Sequence, residues 1–543
     1  MKKINIFVLL LLAATLSVSA KRKETKAEPV SPKTVRISKE LNIYNDVLRQ
    51  LDISYVDTLN YEDLTETAIN AMLQHVDPYT VYFPKKKEND LKMMTTGKYG
   101  GIGAIIQQQA IDGSLVKRGK KNQDSTMTVI ANPYEGKPAQ RNDVLAGDQI
   151  LEVDGWSTKG AAVSDVSDHL RGEPGSTVHL KLLREGISKP IIREFKREQI
   201  HLEPVEYYTL LDDTVGYIDF REFTEGSAAA FQNAAYDLVN AQGAKALIID
   251  LRGNGGGLVD EAVQILSNFL PRGTKVVEIR GKNGNYSYTT SSQPLFPDLP
   301  LIVLVDKHSA SASEIVSGAL QDLGRAKLMG ERTFGKGLVQ NLRPISGDGH
   351  LKVTTAKYYL PSGRCIQAID YAERQRGKEL KKDTAGGILP DIVVSDSDKV
   401  NITYSLYAEN HFFRYATTYH RTHDSIAPAA DFVVDSLMLE DFCHYLDSAK
   451  FAYETETSKY FTELMKIARD EDLDSTTMAE LKAFEPRLKP NYHDAIFRNR
   501  EEVARLLGAE IVLRYYYQKG QLCYNLRYDK LLKAALKKFK EFK

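Results

Sequence analysis

The pattern of apolar and polar positions changes several times along the chain, and each change predicts a different kind of structure. Apolar residues first recur at helical spacing between Leu41 and Leu51 and again between Leu64 and Leu73. Pro78 follows the second segment, and the residue before a proline disfavours the helical conformation. We therefore expect a helical module over residues 36–94, preceded by a solvated linker over residues 21–35.

Short alternating runs with turn signals replace the helical pattern from about residue 95 to residue 198, which predicts a small, mostly β domain. Strands and helices then alternate from Thr214 onwards, which predicts an α/β layer within residues 199–400. The predicted strands are 215–220, 246–250 and 301–305, and the predicted helices are 227–241, 260–269 and 313–323. The fold class expected for the chain is therefore α/β and mixed multi-domain.

Residues 401–543 are helical in pattern and rich in charge, and they end in an amphipathic segment. Residues 521–543 hold seven basic and two acidic side chains. One face of this segment is apolar, and it contains Tyr528, Leu531, Leu532, Leu536 and Phe539. Docking of this face on the rest of the protein is the favoured interpretation, and a peripheral membrane contact is the alternative.

Composition excludes several classes of protein. The 543 residues include 72 basic and 72 acidic side chains, and this zero net charge argues against a dedicated nucleic-acid binder. Hydrophobic residues make up 42% of the chain, which is typical of folded domains rather than of disordered ones. The longest apolar run, residues 4–16, follows Lys2 and Lys3 and precedes Val18-Ser19-Ala20. Residues 1–20 are therefore expected to be a signal peptide, with an uncleaved anchor as the alternative.

Cysteines and histidines give no sign of a metal or redox centre. The three cysteines are scattered and predict no disulfide framework. The eleven histidines show no H-E-x-x-H or other metal-binding spacing, so neither a metal nor a cofactor is expected.

A serine segment follows the predicted strand 301–305 and opens a helix. Ser311 lies at this junction, where free backbone N–H groups at the start of a helix can stabilise an oxyanion. Ser309, Ser311 and Ser313 are also ordinary helix N-cap residues, so this segment alone does not establish a nucleophile.

A second segment brings Lys336 into a turn between Gly335 and Gly337. A lysine can take a proton from a serine hydroxyl only if burial depresses its pKa enough to make the amine neutral. Gln340, four residues further on, is a candidate to orient that amine by hydrogen bonding, as the third member of a catalytic triad does.

A third segment, the glycine turn (residues 250–258, D-L-R-G-N-G-G-G-L), follows a predicted strand and precedes a helix. It fails the dinucleotide-binding template G-x-G-x-x-G, because Leu258 stands where the last glycine is required. A glycine turn that presents N–H groups to an oxyanion suits the sequence equally well.

Together, these three segments resemble the C-terminal processing peptidases, the serine–lysine peptidase family S41. The resemblance continues in the Y-Y-L-P-S-G-R and P-D-I segments, and it covers roughly residues 40–400. It implies that Ser311 is the nucleophile, Lys336 the general base and Gln340 its orienting partner. The implied oxyanion hole consists of the N–H of Ala312 with that of Gly257, or alternatively Gly256. Gly255 departs from the family pattern, which commonly has a proline at that position.

The β-rich region, residues 95–198, resembles the PDZ domain that such peptidases carry. Its signs are the Y-G-G-I-G segment and the later A-G-D-Q-I-L-E-V-D-G segment. The resemblance implies that Tyr99, Gly100, Gly101 and Ile102 form the loop that holds the terminal carboxylate of a peptide.

The function that follows from the resemblance is that of a serine endopeptidase in the periplasm or cell envelope, with an S41 core over residues 199–400. It would cleave proteins near a free C-terminus that the PDZ domain has captured. A catalytically silent PDZ scaffold is the alternative, and a homo-oligomer is compatible with the sequence. The extension over residues 401–543 lies outside the resemblance.

Overall fold

The computed structural model describes residues 32–115, 126–375, 386–394, 401–488 and 490–541. These residues belong to two compact units, Met1–Met72 and Leu73–Lys543. The predicted signal peptide, residues 1–20, lies outside the described residues, as does most of the predicted linker.

Helices dominate the N-terminal region, as predicted. Helix α1 covers Pro32–Ser54, and α2 covers Tyr61–Val76, directly before the D-P-Y segment. The prediction that the linker extends to residue 35 is wrong, because α1 begins at Pro32; proline is tolerated in the first turn of a helix. Several apolar side chains of α1 are more than half exposed, among them Ile37, Leu41 and Val47.

A small β domain occupies the next region and confirms the predicted change of pattern. Strand β1 (Val81–Phe83), helix α3 (Glu88–Thr96) and strand β2 (Lys98–Gly101) lead into it. Its elements are β3 (Ala104–Ala110), β4 (Thr126–Pro133), α4 (Pro138–Arg141), β5 (Gln149–Val153), β6 (Trp156–Ser157), α5 (Val163–Leu170), β7 (Thr177–Leu183), β8 (Ile191–Lys196) and β9 (Glu198–His201). The main sheet has the order β3-β4-β5-β7-β8, and β2 pairs with β9.

The α/β core follows, and the strands alternate with helices as predicted. Its first elements are β10 (Val205–Leu211), β11 (Val215–Phe220), α6 (Ser227–Tyr236), β12 (Ala246–Asp250), α7 (Val259–Leu266), β13 (Lys275–Gly281), β14 (Gly284–Thr289) and β15 (Leu301–Val305). The others are α8 (Ala312–Asp322), β16 (Lys327–Gly330), β17 (Leu338–Ile345), β18 (Gly349–Tyr359), α9 (Ala372–Gln375) and β19 (Ile392–Val393).

Two sheets organise this core. The central sheet has the order β10-β11-β12-β15-β16-β19, and its strands are parallel from β11 onwards. Strands β12 and β15 are buried along their whole length, which explains why their sequences are nearly continuous runs of apolar residues. The second sheet contains β1, β18, β13 and β14, with β17 paired to β18.

The C-terminal extension is helical, as predicted. It contains α10 (Asn401–Ala408), α11 (His411–Thr422), α12 (Ser436–Ser448), α13 (Glu456–Asp470), α14 (Ser475–Leu488), α15 (Tyr492–Arg498), α16 (Arg500–Leu526) and α17 (Lys530–Glu541). Most of these helices pack around a core of their own, which includes Leu406, Phe442 and Leu507.

Helix α17 confirms the docking interpretation of the amphipathic segment. Leu532, Ala535 and Phe539 are buried in one cluster with Ile302 of β15 and other side chains of the central sheet. Helix α17 therefore packs against one face of that sheet through these three side chains. Within the described ranges, no helix combines the length and apolar character needed to cross a membrane.

Candidate active site

The three candidate catalytic segments lie at the carboxyl ends of three neighbouring parallel strands. Strands β12, β15 and β16 are adjacent in the central sheet. The glycine turn follows β12, Ser311 follows β15, and Lys336 follows β16. The carboxyl edge of an open parallel sheet is where α/β proteins commonly bind ligands. The sheet order therefore brings together segments that are far apart in sequence.

Ser311 differs from the two serines beside it. Ser309 and Ser313 are fully buried, and their hydroxyls donate to the backbone oxygens of Leu251 (2.8 Å) and Asn254 (2.9 Å). Ser311 is partly exposed and has a φ of 57°, an unfavourable value for a serine that costs about 1–3 kcal/mol. Ser309 and Ser313 therefore hold the loop in place, while Ser311 is the serine available to a substrate.

Glu314, in the first turn of α8, connects the serine segment to the lysine segment. Its carboxylate is fully buried, and Oε2 accepts hydrogen bonds from the N–H groups of Ser311 and Lys336, both at 2.9 Å. The other oxygen accepts from the Thr333 hydroxyl at 2.6 Å and from the Gly335 N–H at 2.8 Å. Burial raises the pKa of Glu314, and these hydrogen bonds oppose the increase. One carboxylate thus fixes the backbones on both sides of the site.

Tyr358, in β18, makes a second connection between the same two residues. Its side chain is buried, and its hydroxyl donates to the carbonyl oxygens of Lys336 at 2.6 Å and Ser311 at 3.1 Å. Glu314 therefore binds the N–H groups of Ser311 and Lys336, and Tyr358 binds their carbonyl groups. The relative position of the two backbones is determined by two buried side chains.

The surroundings of Lys336 lower the pKa of its amine. Burial, followed by the positive charge of Lys352, lowers the pKa of Lys336 to about 8, although Glu314 and Asp77 act in the opposite direction. The Lys336 Nζ lies 4.8 Å from the centroid of the Tyr79 ring. About a tenth of the lysine would be neutral at pH 7, one unit below that pKa. A lysine in this environment can serve as a general base near neutral pH.

Gln340 lies in β17, next to a break in the strand register between Val339 and Gln340. Its Nε2 donates to the hydroxyl of Thr354 at 3.2 Å. Among the described residues, it forms no hydrogen bond with Lys336. The amide is therefore held by β18 with its nitrogen engaged, and its role as the partner of Lys336 stays a prediction.

The glycine turn approaches Ser311 closely. A Cβ atom placed on Gly256 would lie 2.7 Å from the Cβ of Ser311, and one placed on Gly257 would lie 2.3 Å from the carbonyl oxygen of Phe223. Gly256 and Gly257 have φ values of 98° and 147°. Only glycine satisfies both the conformation and the space at these two positions.

Hydrogen bonding distinguishes the candidate oxyanion donors. The Gly256 N–H donates to Asn254 Oδ1 at 2.8 Å, so this candidate donor already has an acceptor. Within the part of the chain that the structure describes, the N–H groups of Gly257 and Ala312 donate no hydrogen bond. The pair that the sequence favours, Gly257 with Ala312, is therefore the one left free to bind an oxyanion.

Several residues that form the site have no role predicted from the sequence. Asn254 is fully buried, and its Nδ2 donates to the carbonyl oxygen of Phe220 at 2.8 Å. The backbone carbonyl oxygen of Asn254 accepts a hydrogen bond from the Ala310 N–H at 3.0 Å, which connects the glycine turn to the serine segment. Glu314 had a usable signal, because Ser311 and Glu314 have the S-x-x-E spacing of a capping box. Asn254 and Tyr358 had no comparable local signal.

The predicted carboxylate-binding loop differs in part from the expectation. Tyr99, Gly100 and Gly101 belong to β2 and pair with β9, and Gly100 packs so closely on Gly172 that a Cβ would lie 2.0 Å from its oxygen. The side chain of Ile102 is buried in the core of the β domain. In residues 32–115 and the other described ranges, the N–H groups of Ile102 and Gly103 donate no hydrogen bond. The unoccupied donors therefore lie at the end of the predicted loop.

Strand β3 begins directly after these unoccupied donors. It stands first in the sheet order β3-β4-β5-β7-β8, so among the described strands it forms an edge. The side chain of Gln108 in β3 donates to the carbonyl oxygen of Ala161, just before α5, at 3.2 Å. An edge strand with a helix beside it is the arrangement that accepts an additional peptide strand.

Among the described residues, no three or more His, Cys, Asp or Glu side chains form a group that could hold a metal ion. His308 lies near Ser311 in sequence, but its backbone N–H binds Asp306 at 3.0 Å, and no hydrogen bond of its ring to Ser311 is present in the described ranges.

Comparison with known families agrees with the fold and with the order of the segments. The model described as Peptidase family S41 matches residues 214–394, and the PDZ domain model matches residues 102–183. The model described as "Probable PDZ-protease, C-terminal helical domain" matches residues 402–539. The extension that the sequence resemblance left unassigned is thus a domain found with PDZ proteases.

Comparison with individual proteins gives the same family. A carboxy-terminal-processing protease of Bartonella bacilliformis is 34% identical over 361 residues, which cover 66% of this chain and 75% of that protein. The carboxy-terminal processing protease CtpA of Bacillus subtilis is 31% identical over 59% of this chain and 66% of its own length. The solved photosystem II D1 C-terminal processing protease is 29% identical over 64% of this chain and 86% of its own, with a TM-score of 0.37. The chain belongs to the S41 family of carboxy-terminal-processing proteases and is a serine peptidase.

Proposed function

We propose that the protein is a secreted endopeptidase that uses a dyad of Ser311 and Lys336 to cleave proteins near their C-termini. The observation that carries this proposal is the double connection of the two residues by Glu314 and Tyr358. A scaffold without catalysis has no need to fix a partly exposed serine next to a lysine whose pKa burial lowers to about 8.

Acylation would begin with neutral Lys336. The amine takes the proton of the Ser311 hydroxyl while the serine oxygen attacks the carbonyl carbon of the scissile peptide bond. The negative charge that develops on the carbonyl oxygen is stabilised by the N–H groups of Gly257 and Ala312. The protonated lysine then gives its proton to the leaving amine, and the new N-terminus departs.

In deacylation, water would take the place of the Ser311 hydroxyl as the nucleophile, and Lys336 would again act as the base. Water attacks the ester carbonyl, Lys336 accepts a proton from that water, and Ser311 recovers its proton as the acid product leaves. Gln340 would orient the amine through its amide oxygen, which has no hydrogen bond among the described residues, since Thr354 already binds its nitrogen. No metal or cofactor takes part in this scheme.

Substrate selection would depend on the PDZ domain. The chain end would add to the edge strand β3, and the unoccupied N–H groups of Ile102 and Gly103 would bind its terminal carboxylate. Tyr99, Gly100 and Gly101 would support this loop through β2 and its pairing with β9. Substrates would therefore be proteins or peptides with a free C-terminus.

Location and assembly complete the proposal. The predicted signal peptide would export the chain, so we place its activity in the periplasm or cell envelope. A homo-oligomer would give the exposed apolar side chains of α1 a partner. Fractionation of cells that produce the protein, with and without residues 1–20, would test the location, and a cytoplasmic full-length protein would contradict it.

The test of the chemistry uses purified protein with Ser311→Ala and Lys336→Ala. Both variants should lose proteolysis, by roughly a factor of 10⁴ or more, and both should still bind a peptide with a free C-terminus. His308→Ala, which changes a neighbouring side chain outside the proposed chemistry, is the matched control and should remain active. Unchanged cleavage by Lys336→Ala would overturn the mechanism.

The same experiment separates the enzyme from a silent scaffold. A scaffold would bind the free C-terminus in the wild type and in both variants, and none of them would cleave it. Comparing the C-termini of envelope proteins in cells with wild-type or Ser311→Ala enzyme would then identify substrates, as the proteins that keep their full tails only in the mutant.

A further inference from the structure

Arg252, in the glycine turn, is held between carboxylates from two distant parts of the chain. Its Nη2 donates to Asp250 Oδ2 at 2.5 Å and to Asp529 Oδ2 at 2.5 Å, and its Nε donates to Asp250 Oδ1 at 2.9 Å. Asp250 is the last residue of β12, whereas Asp529 belongs to the helical extension. A residue outside the S41 core therefore binds the segment that carries the oxyanion donor Gly257.

The side chain of Asp529 is held in place by contacts of its own. Its Oδ1 accepts the N–H of Leu532 at 2.8 Å, so the same carboxylate that binds Arg252 also caps the start of α17. Leu532 and Phe539 anchor that helix in the apolar cluster on the central sheet. Only 15% of the Asp529 side chain is exposed. The carboxylate is thus fixed to the body of the enzyme.

On the side of the S41 core, the neighbours of Arg252 connect it to the proposed oxyanion hole. Asp250 is buried and also accepts the hydroxyl of Tyr217 at 2.8 Å and the N–H of Arg252 at 3.0 Å. The next residue, Gly253, donates its N–H to Asp306 at 3.0 Å, in the loop that leads to Ser311. Asp250 and Asp529 hold the Arg252 guanidinium on both sides, and this limits rotation of the backbone at the start of the glycine turn. Gly257 lies in the same turn, five residues after Arg252.

Charge supports the same arrangement. Burial opposes ionisation of Asp250, but the guanidinium of Arg252 outweighs it and keeps the pKa of Asp250 below its usual value. Without Asp529, Arg252 would keep its bonds to Asp250 and lose the partner that fixes the outer side of its guanidinium.

We propose that Asp529 is a positioning residue for catalysis, through which the C-terminal helical domain holds Arg252 and thereby aligns the glycine turn for oxyanion binding. The inference rests on the proposed function, because it assumes that Gly257 binds the oxyanion. Misplacement of such a donor affects the transition state more than the bound substrate. Loss of Asp529 should therefore lower kcat and leave KM nearly unchanged.

The experiment uses the full chain with Asp529→Ser, Asp529→Asn and Lys540→Ala. Serine is a good N-cap residue, so Asp529→Ser should keep α17 in place while removing the partner of Arg252. Lys540→Ala is the matched control, because it breaks the ion pair of the same helix with Asp212 and does not involve Arg252. Thermal unfolding of each variant reports whether the helix stays docked.

Two measurements separate positioning from stability: kcat and KM for a peptide substrate, and the affinity for a peptide aldehyde that forms a tetrahedral adduct with Ser311. We expect kcat to fall roughly tenfold or more in both Asp529 variants and aldehyde affinity to fall in parallel, with KM within about twofold of wild type. Lys540→Ala should match the wild type in both measurements.

Two results would overturn the inference. One is an unchanged kcat in Asp529→Ser and Asp529→Asn. The other is a loss that follows the folded fraction and recurs in Lys540→Ala, since that describes a purely structural helix. Failure of the proposed function is distinguishable, because it would appear as retained cleavage by Ser311→Ala or Lys336→Ala, whatever the Asp529 variants do.

Discussion

We propose that the catalytic loops and the PDZ loop bind the same substrate, and the two sites differ in how their backbone groups are used. At the catalytic loops, Glu314 and Tyr358 occupy the N–H and carbonyl groups of Ser311 and Lys336. At the PDZ loop, consecutive N–H groups are left without partners in the described part of the chain. In the proposed mechanism the reacting residues Ser311 and Lys336 are fixed in advance. The N–H groups that would bind substrate oxygens, at Gly257 and Ala312 and at the PDZ loop, have no partner among the described residues. The difference is testable on both sides.

The largest effect is expected from Glu314→Ala. The substitution leaves the N–H groups of Ser311 and Lys336 without their acceptor, so both loops lose their common support. We expect kcat to fall by roughly a factor of 10³, KM to change little because the proposed capture uses other residues, and thermal stability to decrease.

Two variants sharpen the test of Glu314. Glu314→Gln keeps the shape of the side chain but replaces an acceptor oxygen with a donor, so it should also lose most activity. The control variant is Glu331→Ala, which removes a carboxylate from the loop directly after β16. In the described ranges that carboxylate accepts no hydrogen bond, so the activity of this variant should stay close to that of the wild type. A fully active Glu314→Ala enzyme would show that the two loops are positioned by other contacts.

The next largest effect is expected from Gly257→Ala. A methyl group there would lie 2.3 Å from the carbonyl oxygen of Phe223, and the φ of 147° is unfavourable for alanine, so the N–H must move. Loss of one oxyanion donor costs a factor of about 10²–10³ in kcat. Gly255→Ala is the matched control in the same turn, because no atom lies within 4 Å of its Cβ. Equal rates for the two variants would refute Gly257 as a donor.

A smaller effect is expected at the PDZ loop. Amidation of the substrate's C-terminus removes the carboxylate that the N–H groups of Ile102 and Gly103 would bind. We expect KM to rise roughly tenfold with kcat unchanged, because the lost charge-assisted contact binds the substrate without touching the reacting groups. Acetylation of the substrate's N-terminus is the control and should have no effect. A fall in kcat with constant KM would place the carboxylate at the catalytic loops instead.

The smallest effect is expected from Lys352→Met. In the proposed mechanism activity requires neutral Lys336, so kcat/KM should increase with pH and level off above the pKa of about 8. The charge of Lys352 lowers that pKa, so its removal should move the increase to higher pH and reduce the rate at pH 7 by roughly twofold to threefold. Lys357→Met, on the same strand with its amine 3.8 Å from Asp370, should leave the profile in place. A shift towards lower pH would contradict the assignment of Lys336 as the base.

Much of the fold was predictable because its signals are local. The buried strands 246–250 and 301–305 are continuous apolar runs, and their bounds agree with the structure. Helix α17 was predicted to dock because one of its faces is apolar, although its position on the central sheet had no sequence signal. The start of α1 at Pro32 was missed because proline is also typical of linkers.

The candidate site was predictable only in part. Ser311, Lys336 and the glycine turn were recognised because each stands in a distinctive short segment. The contacts of Asn254, Tyr358 and Asp529 were not, because they join residues far apart in sequence; Asp529 and Arg252 are 277 positions apart. The choice of Gly257 over Gly256 also needed the structure, since it depends on the hydrogen bond from Gly256 to Asn254.

The sequence by itself determined the order of the domains, the family and the reactive residue types, because these depend on composition, periodicity and short motifs. The tertiary structure alone decided which backbone groups are occupied and which are free, and how strongly Lys336 is buried. The physical reason is that hydrogen bonding and desolvation depend on distances between segments. Those distances are set by the order of β12, β15 and β16 in the central sheet and by the helix that covers it.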